Sequence, residues 1–537
     1  MFMKKLFFCL FAAVGLGCSP IYAVNYYVAL NGNDNNNGSS SSPWRTIQKG
    51  FDEAQPGDTV FVREGTYNEQ VFSQRSGTPN NIITICGYPG EHPVLSGTGV
   101  GQNNGLQITH AYITLCNLEV CNWNDTGIWI YGNIGFIKVL NCSVHDCPYC
   151  LSLSDGVHDF IIDNCLMYNF GPSGTGGDGF GFSCEPNGTP CYNGLITNCK
   201  SYHGLSPLAN NDGFALGHHD VSNITFRNCE TYDVFDGFDI SGYNILLDKC
   251  AAHDITNGDG AYKLWPDSVT LVNCIGYNAN SIVQLDYDGR QAVANIYNCT
   301  FHNAIGGGYT IWIENPNTNA LNMYNTIISG GDNRGFTFEM DVFSNYHGDY
   351  NIFQNDDTTR VISTNTIDYN VSDLQSGTWS ALTGQDSHSV FLHASASLFV
   401  NDGNTPDLHL KQGSEAINSA SATFAPTDDY TGCFRDDGHP DIGAYEYGCS
   451  SQGWTVPPDE NFNIKIFPNP SHNFLTIQSD INLSDLSFSI SDITGKKVMS
   501  GLFNAGENNI NINNLKPGAY FLMIGLSNEK TLTFFKL

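Results

Sequence analysis

The stretch Ile137-Lys138-Val139-Leu140-Asn141-Cys142 is a short alternating strand followed by a bend residue and a thiol, and the chain repeats it. Its variants run from Phe160 to Asn164-Cys165, Leu195 to Asn198-Cys199, Ile224 to Asn228-Cys229, Ile245 to Lys249-Cys250, Val269 to Asn273-Cys274 and Ala294 to Asn298-Cys299. Met323-Tyr324-Asn325-Thr326 continues the series with Thr in place of Cys. With Cys116 taken as the first member, successive cysteines are 26, 23, 34, 30, 21, 24 and 25 residues apart. A period in this range belongs to solenoids, propellers or arrays, and short β-branched pieces broken by Gly and Asn select a β-solenoid. A leucine-rich repeat is excluded, because neither the Leu framework nor the helical returns are present. The expected fold class is all-β: a right-handed parallel β-helix, followed by a small β-sandwich-like domain at the C-terminus.

Coils of such a helix stack about 4.8 Å apart, so Cys falls on Cys in an interior column. A buried Cys behaves as a small hydrophobe, and the eight ladder cysteines are expected inward and reduced. A metal cluster would need ligands converging on a point, which a column does not provide. The Asn that precedes most of these Cys suits a left-handed bend, and its amide can bond its neighbour along the axis. Cys121 and Cys147 each follow a ladder Cys by five residues and are expected as neighbours on adjacent coils. Cys184 and Cys191 bracket the insertion in the 34-residue repeat, where a disulfide is plausible in an oxidising compartment. Cys147-Pro148-Tyr149-Cys150 looks like a thiol-redox motif, but it falls in a solenoid turn and not at a thioredoxin-like helix start.

The 537 residues suffice for one large domain and a smaller one. Only 14% are charged, 56 are Gly, and the net charge of -31 argues against nucleic acid and anionic membranes as partners. Lys4 and Lys5, the apolar run from Leu6 to Leu16 and the small Ala23 read as a signal peptide over residues 1–23. The rival, lipidation at Cys18, lacks the Leu that a lipobox places where Gly15 stands. No later run suits a membrane span. Residues 24–447 are the expected β-helix. Trp44, Ile47, Phe51 and Ala54 have helical spacing and predict a short helix covering the first coil. The far end, Asp441-Ile442-Gly443-Ala444-Tyr445-Glu446, resembles the closing segment of secreted β-helix proteins. Residues 448–463 read as a linker. In residues 464–537, Ile466-Phe467-Pro468-Asn469-Pro470, Asp492-Ile493-Thr494-Gly495-Lys496 and Leu515-Lys516-Pro517-Gly518-Ala519-Tyr520 resemble the C-terminal sorting domain of the type IX secretion system. That resemblance implies the secretion machinery as a partner and a final location outside the cell or on its surface.

Chemistry concentrates in four consecutive turns: Asp178-Gly179-Phe180-Gly181-Phe182, Asp212-Gly213-Phe214-Ala215-Leu216, Asp236-Gly237-Phe238-Asp239-Ile240 and Asp259-Gly260-Ala261-Tyr262-Lys263-Leu264. Aligned on aromatic-x-apolar, the x residue points outward, predicting an exposed column of Gly181, Ala215, Asp239 and Lys263. Asp212 and Asp236 then stack at the turn before the same strand. Repeated Asp-Gly also makes plain turns, which stays open for Asp178 and Asp259. It does not explain Asp239, because Asp is disfavoured within a strand. A surface ion pair between Asp239 and Lys263 is the remaining plain reading.

At these residues the chain resembles polysaccharide lyase family nine, the β-helical pectate lyases. The resemblance implies a Ca²⁺ cofactor held by Asp212, Asp236 and Asp239, with Lys263 as the Brønsted base. Phe235 stands where the family has another acidic residue, and the turn before Lys263 is one residue longer. Asp233, a carbonyl or water is then a possible replacement ligand. β-Elimination removes the proton α to a uronate carboxylate; calcium, a hard cation, bridges protein and substrate carboxylates and lets an anionic protein act on an acidic polysaccharide. Pectate is the expected polymer, and a monomer the expected state. Arg290, one coil on, is expected to meet a further substrate carboxylate. Two other classes stay open. A β-helical glycoside hydrolase needs two carboxylic acids, but its Gly-His-Gly and Arg-x-Lys signatures are missing and only Gly217-His218-His219 is present. A non-catalytic glycan binder or adhesin would assign no role to Lys263 and would rely on aromatics such as Trp265 and Trp312.

Overall fold

The computed structural model describes residues 23–171, 178–184, 188–205, 210–217, 220–256, 258, 260–331, 334–339, 341–355, 360–403, 405–435 and 438–448. In the C-terminal region it describes 464–467, 469, 471–479, 487–492, 497–503, 509–516, 518–524 and 530–536. The expected signal peptide, apart from Ala23, and most of the expected linker lie outside the described residues, as does Asp259.

The main body is a right-handed parallel β-helix. Each coil gives one short strand to each of three faces. On the first face Tyr149–Ser154, Gly179–Cys184 and Asn211–Leu216 pair in parallel with one another, and the start of Phe238–Asp248 follows. On the second, Ile137–Leu140 lies between Ile113–Cys116 and His158–Asp163. The third face is a sheet of 13 strands, among them Ser143–Cys147 and Leu166–Phe170. Alternating inward residues such as Ile137 and Val139 are fully buried, which is what period-two apolar patterning requires.

The corner between the second and third faces explains the repeat. Asn141, Asn164, Asn198, Asn228, Asn273, Asn298 and Asn325 take φ of +50° to +55°, the left-handed region that Asn tolerates best after Gly. Their amides form a ladder with gaps: Asn164 Nδ2 donates to Asn141 Oδ1 at 2.8 Å and Asn325 Nδ2 to Asn298 Oδ1 at 3.0 Å, while Asn198 Nδ2 donates to Asp163 Oδ1 at 2.9 Å. Cys142, Cys165, Cys199, Cys229, Cys250, Cys274 and Cys299 are buried thiols in one interior column.

Cys116 departs from the expectation. Asn141 Nδ2 bonds Asn117 Oδ1, so Asn117 is the bend and Leu118 takes the interior position. In this coil Cys precedes the Asn, pairs in register with Leu140 and forms a disulfide with Cys86. Cys121 and Cys147 lie on adjacent coils and near enough to feel each other's charge, but for the same reason they are two residues out of register: Cys121 pairs with His145, and Cys147 with Phe170. Cys184 and Cys191 are both buried, and no disulfide joins them. Burial pushes the Cys147 thiol up to about 12 and raises Cys150 strongly too, so this Cys-Pro-Tyr-Cys lacks the thiolate that redox exchange needs.

Both ends are capped. Helix Ile47–Glu53, with Thr46 Oγ1 accepting from Lys49 N, lays Ile47 and Phe51 over the first coil, and Trp44 and Ala54 are buried beside it. Helices Val371–Gln375 and Thr378–Thr383 close the other end. There the fully buried Trp379 packs against Phe338 and Phe343 and donates Nε1–H to Asp386 at 2.9 Å.

The chain then runs back along the third face. Leu398, Leu408, Ile442 and Ala444 pack on Ala251, Ile275, Ile327 and Ile352, so this strap crosses several coils. Lys249, which interrupts the Asn ladder, holds Asp428 of the strap at 2.5 Å, and Asn273 Nδ2 donates to the Asp428 carbonyl. The C-terminal region forms a three-stranded and a four-stranded antiparallel sheet around Leu475, Ile477, Ile490, Leu522 and Phe534.

Candidate functional site

The first face carries a continuous outward column. In register it runs Trp129, Ser152, Ser183, Ala215, Asp239, Lys263, Gln284, Trp312 and Thr337. The expected run of Ala215, Asp239 and Lys263 is present, but Ser183 and not Gly181 precedes it. Phe182, not Phe180, is the residue in step with Phe214, because the chain from Phe170 to Phe182 is two residues longer than its counterpart from Gly204 to Phe214.

Asp212, Asp236 and Asp239 bring one carboxylate oxygen each to within 4.8 Å of one another. Asp212 lies in the strand Asn211–Leu216, and Asp236 lies in the turn beside it, with its carbonyl accepting from Gly213 N. Both are buried, and Asp236 is fully so. Asp236 Oδ1 accepts from Gly260 N at 3.0 Å, and its Oδ2 accepts from Lys263 Nζ at 3.0 Å. Lys263 was expected to be exposed, but only 8% of it is, because carboxylates and Trp265 surround its outward stem. Its partner is Asp236 across the turn, so the simple Asp239–Lys263 surface pair is not what the strand register produces.

Trp265 Nε1 donates to Asp239 Oδ1 at 2.7 Å, while Lys263 Nζ lies 5.5 Å from the centre of the Trp265 ring. Burial, then the Asp236 charge, pushes the Asp239 carboxyl up to about 7; Lys263 and the Trp265 bond oppose this only in part. Asp286, which the motif reading missed, adds a fourth acid. It is 4% exposed, accepts from Gln284 Nε2 at 2.6 Å, and is pushed up to about 6, chiefly by burial. Its sequence signal was available: it stands two residues after Gln284, which pairs in register with Lys263.

Other expected residues fall elsewhere. Asp178 is exposed, outside the three-carboxylate group. Asp233, a possible replacement ligand, sits 2.7 Å from His203 Nδ1 and is not part of that group. Arg290 follows the strand Val283–Leu285 on an exposed turn; its guanidinium lies 3.1 Å from Asp288 and 3.9 Å from Asp267.

Residues 26–264 match the protein-family model described as "Pel9A-like, right handed beta helix region", and residues 465–535 match "Secretion system C-terminal sorting domain". Pectate lyase L of Dickeya chrysanthemi is 25% identical over 447 residues, covering 78% of this chain and 90% of that protein. The uncharacterized protein YwoF of Bacillus subtilis is 34% identical over 115 residues, and the chain spans 25% of its length. The crystal structure of pectate lyase Pel9A superposes with a TM-score of 0.47 at 17% identity, covering 80% of this chain and 97% of that one. Over residues 26–264 the protein thus has a pectate lyase-like β-helix, and pectate lyases are among its relatives. More particularly, it joins a Pel9A-like β-helix region to a type IX sorting domain, which marks it for secretion or the cell surface. Among the described residues no helix is long and apolar enough to cross a membrane.

Proposed function

We propose that this chain is a secreted, monomeric lyase that cleaves a uronic-acid polymer of the pectate type by calcium-assisted β-elimination. The observation that carries the reading is an in-strand lysine, Lys263, set 3.0 Å from one member of a group of three converging carboxylates. Those carboxylates offer hard oxygen donors, two of them from buried residues, and this donor chemistry fits calcium better than a softer metal. Asp212, Asp236 and Asp239 would hold the ion, which when bound offsets the substrate carboxylate's charge and so acidifies the α proton.

The chain's own groups do the rest. Lys263 Nζ takes the C5 proton α to the carboxylate; its electron pair becomes the C4–C5 double bond as the C4–O bond to the neighbouring sugar breaks, and the departing oxygen takes a proton from water. Before that Nζ must be a neutral amine, which its ion pair with Asp236 opposes; a cation held by Asp236 would lessen that opposition. Trp265 holds Asp239 in place through its indole N–H and shields Nζ from water. The polymer follows the outward column, where a sugar face stacks on an aromatic ring. Trp312 is two coils beyond Lys263, about 10 Å away, and Trp129 is four coils before Asp239, about 19 Å away. Arg290 meets a second uronate only by exchanging its present partner Asp288.

Incubation with polygalacturonate and Ca²⁺ should generate the ultraviolet absorbance of an unsaturated uronate, and EDTA should abolish it. A second reading draws on the raised Asp239 and Asp286 carboxyls, which also suit the acid of a glycoside hydrolase. New reducing ends without the unsaturated chromophore would establish that alternative and end the lyase reading.

Domain limits at 24–447 and 464–537 are part of the same proposal. Removal of residues 464–537 should leave a folded β-helix that stays inside the outer membrane. Cell fractionation together with circular dichroism checks this, and normal release of the truncated chain would refute the export role.

A further inference from the structure

A second group of ligand-type side chains lies on the third face, away from the column described above. Glu119 and Cys121 are alternate residues of the strand Glu119–Cys121, and His145 pairs in register with Cys121 from the next coil. A carboxylate oxygen of Glu119, the Cys121 sulfur and a ring nitrogen of His145 all lie within 4.8 Å of one another. His145 Nε2 is 3.3 Å from Glu119 Oε1, and its Nδ1 is 2.5 Å from Asp146 Oδ2. A carboxylate on the far nitrogen is the arrangement that orients a metal-binding imidazole. The ring is further fixed by stacking on Tyr168 at 4.5 Å. Burial and the Glu119 charge raise the Cys121 thiol in the metal-free protein, and the bond that Asn122 Nδ2 donates to its Sγ at 3.1 Å opposes this in part.

The same face holds its own comparison. His253 is set between Glu230 at 3.2 Å and Asp254 at 2.8 Å, just as His145 is between Glu119 and Asp146. Opposite His253 stands Tyr232, stacked on its ring, where Cys121 stands opposite His145. The carboxylate–imidazole–carboxylate unit is thus a repeated feature of the ladder, and the thiol distinguishes one copy. Sulfur, imidazole and carboxylate together favour a borderline transition metal over the hard cation of the first face.

We propose that Glu119, Cys121 and His145 form a binding site for Zn²⁺ or a divalent transition metal of similar preference. The cation replaces the proton shared between His145 and Glu119 and displaces the Cys121 thiol proton to solvent.

Cobalt(II) reports on this directly, since only a thiolate ligand gives a sulfur-to-cobalt charge-transfer band, and the oxygen donors of the first face give none. Titration of the reduced full-length protein should produce that band at one equivalent, and Zn²⁺ should remove it. Cys121→Ser, which is nearly isosteric, should abolish the band while leaving the circular dichroism spectrum and melting unchanged. Asp146→Asn should weaken binding about ten- to a hundredfold, and His253→Ala should leave it as in wild type. Absence of the band in wild type, or its persistence in Cys121→Ser, would overturn the proposal. Neither result bears on uronate cleavage, which is read in a separate assay.

Discussion

Lys263→Arg should lose lyase activity about 10²–10⁴-fold, the range a positioned general base supplies. Guanidinium keeps its protons at any working pH, so it cannot accept another. The variant is informative because it retains a cation for Asp236, whose side chain is fully buried. Folding and the calcium dependence of melting should therefore stay near wild type while kcat falls. Lys263→Ala should be equally inactive but for a mixed reason. It takes the 3.0 Å cation from the Asp236 carboxylate, and a buried charge that loses its countercharge is costly even with the Gly260 N–H still bound. Calcium should recover the stability of that variant but not its activity. Full turnover by Lys263→Arg would remove the lysine from the chemistry and leave it a structural ion pair.

Asp239→Asn should raise the stability of the metal-free protein and remove its response to calcium. The Asp239 carboxyl titrates at about 7 in the fold and near 3.8 in an ordinary setting. Between those values the folded chain holds a proton that the unfolded chain has released. Metal-free stability thus falls as pH rises through this window, is fully reduced above pH 7, and is unaffected below about pH 4. Neutral Asn avoids the penalty and keeps an oxygen for the Trp265 indole, a gain of roughly 1–3 kcal/mol at pH 8. Wild type should regain the difference on adding Ca²⁺, because a ligand that binds only the folded state stabilises it. The same proton competes with the cation, so apparent calcium affinity should drop as pH falls below 7. Melting curves at pH 5 and 8, with Ca²⁺ and with EDTA, measure all of this. A lower metal-free melting temperature for Asp239→Asn, or an undiminished calcium response, would contradict the assigned role.

The parts of the fold legible in the sequence were those that depend on local stereochemistry repeated many times. Asn141 and its counterparts mark a left-handed bend, and the Cys (once Thr) after each marks an inward position; both follow from adjacent residues. Errors arose where a residue type was read without its place in the bend. Cys116 precedes Asn117 and so faces Cys86, while Leu118 takes the column position. Gly181 was displaced by Ser183 because the turn before its strand is two residues longer than the turn one coil on. Of the site, the Asp239–Lys263 step was readable from their 24-residue spacing. The Asp236–Lys263 bond, the indole on Asp239 and the nearby Asp286 were not, since they depend on how side chains turn across a coil. The two helices around Trp379 were also missed, because each is too short for periodicity to declare it.

A solenoid is close to one-dimensional, each coil touching only its neighbours, so it tends to fray from an end one turn at a time. The strap that returns along the third face changes that behaviour. Asp428 is 179 residues from Lys249, and Asp441 is 143 from Asn298, yet both pairs are in direct contact. Coils joined in this way cannot peel off singly; several must open together. The strap therefore turns gradual unravelling into a cooperative event with a higher barrier, so that survival outside the cell, where no chaperone renews the fold, is governed by an unfolding rate.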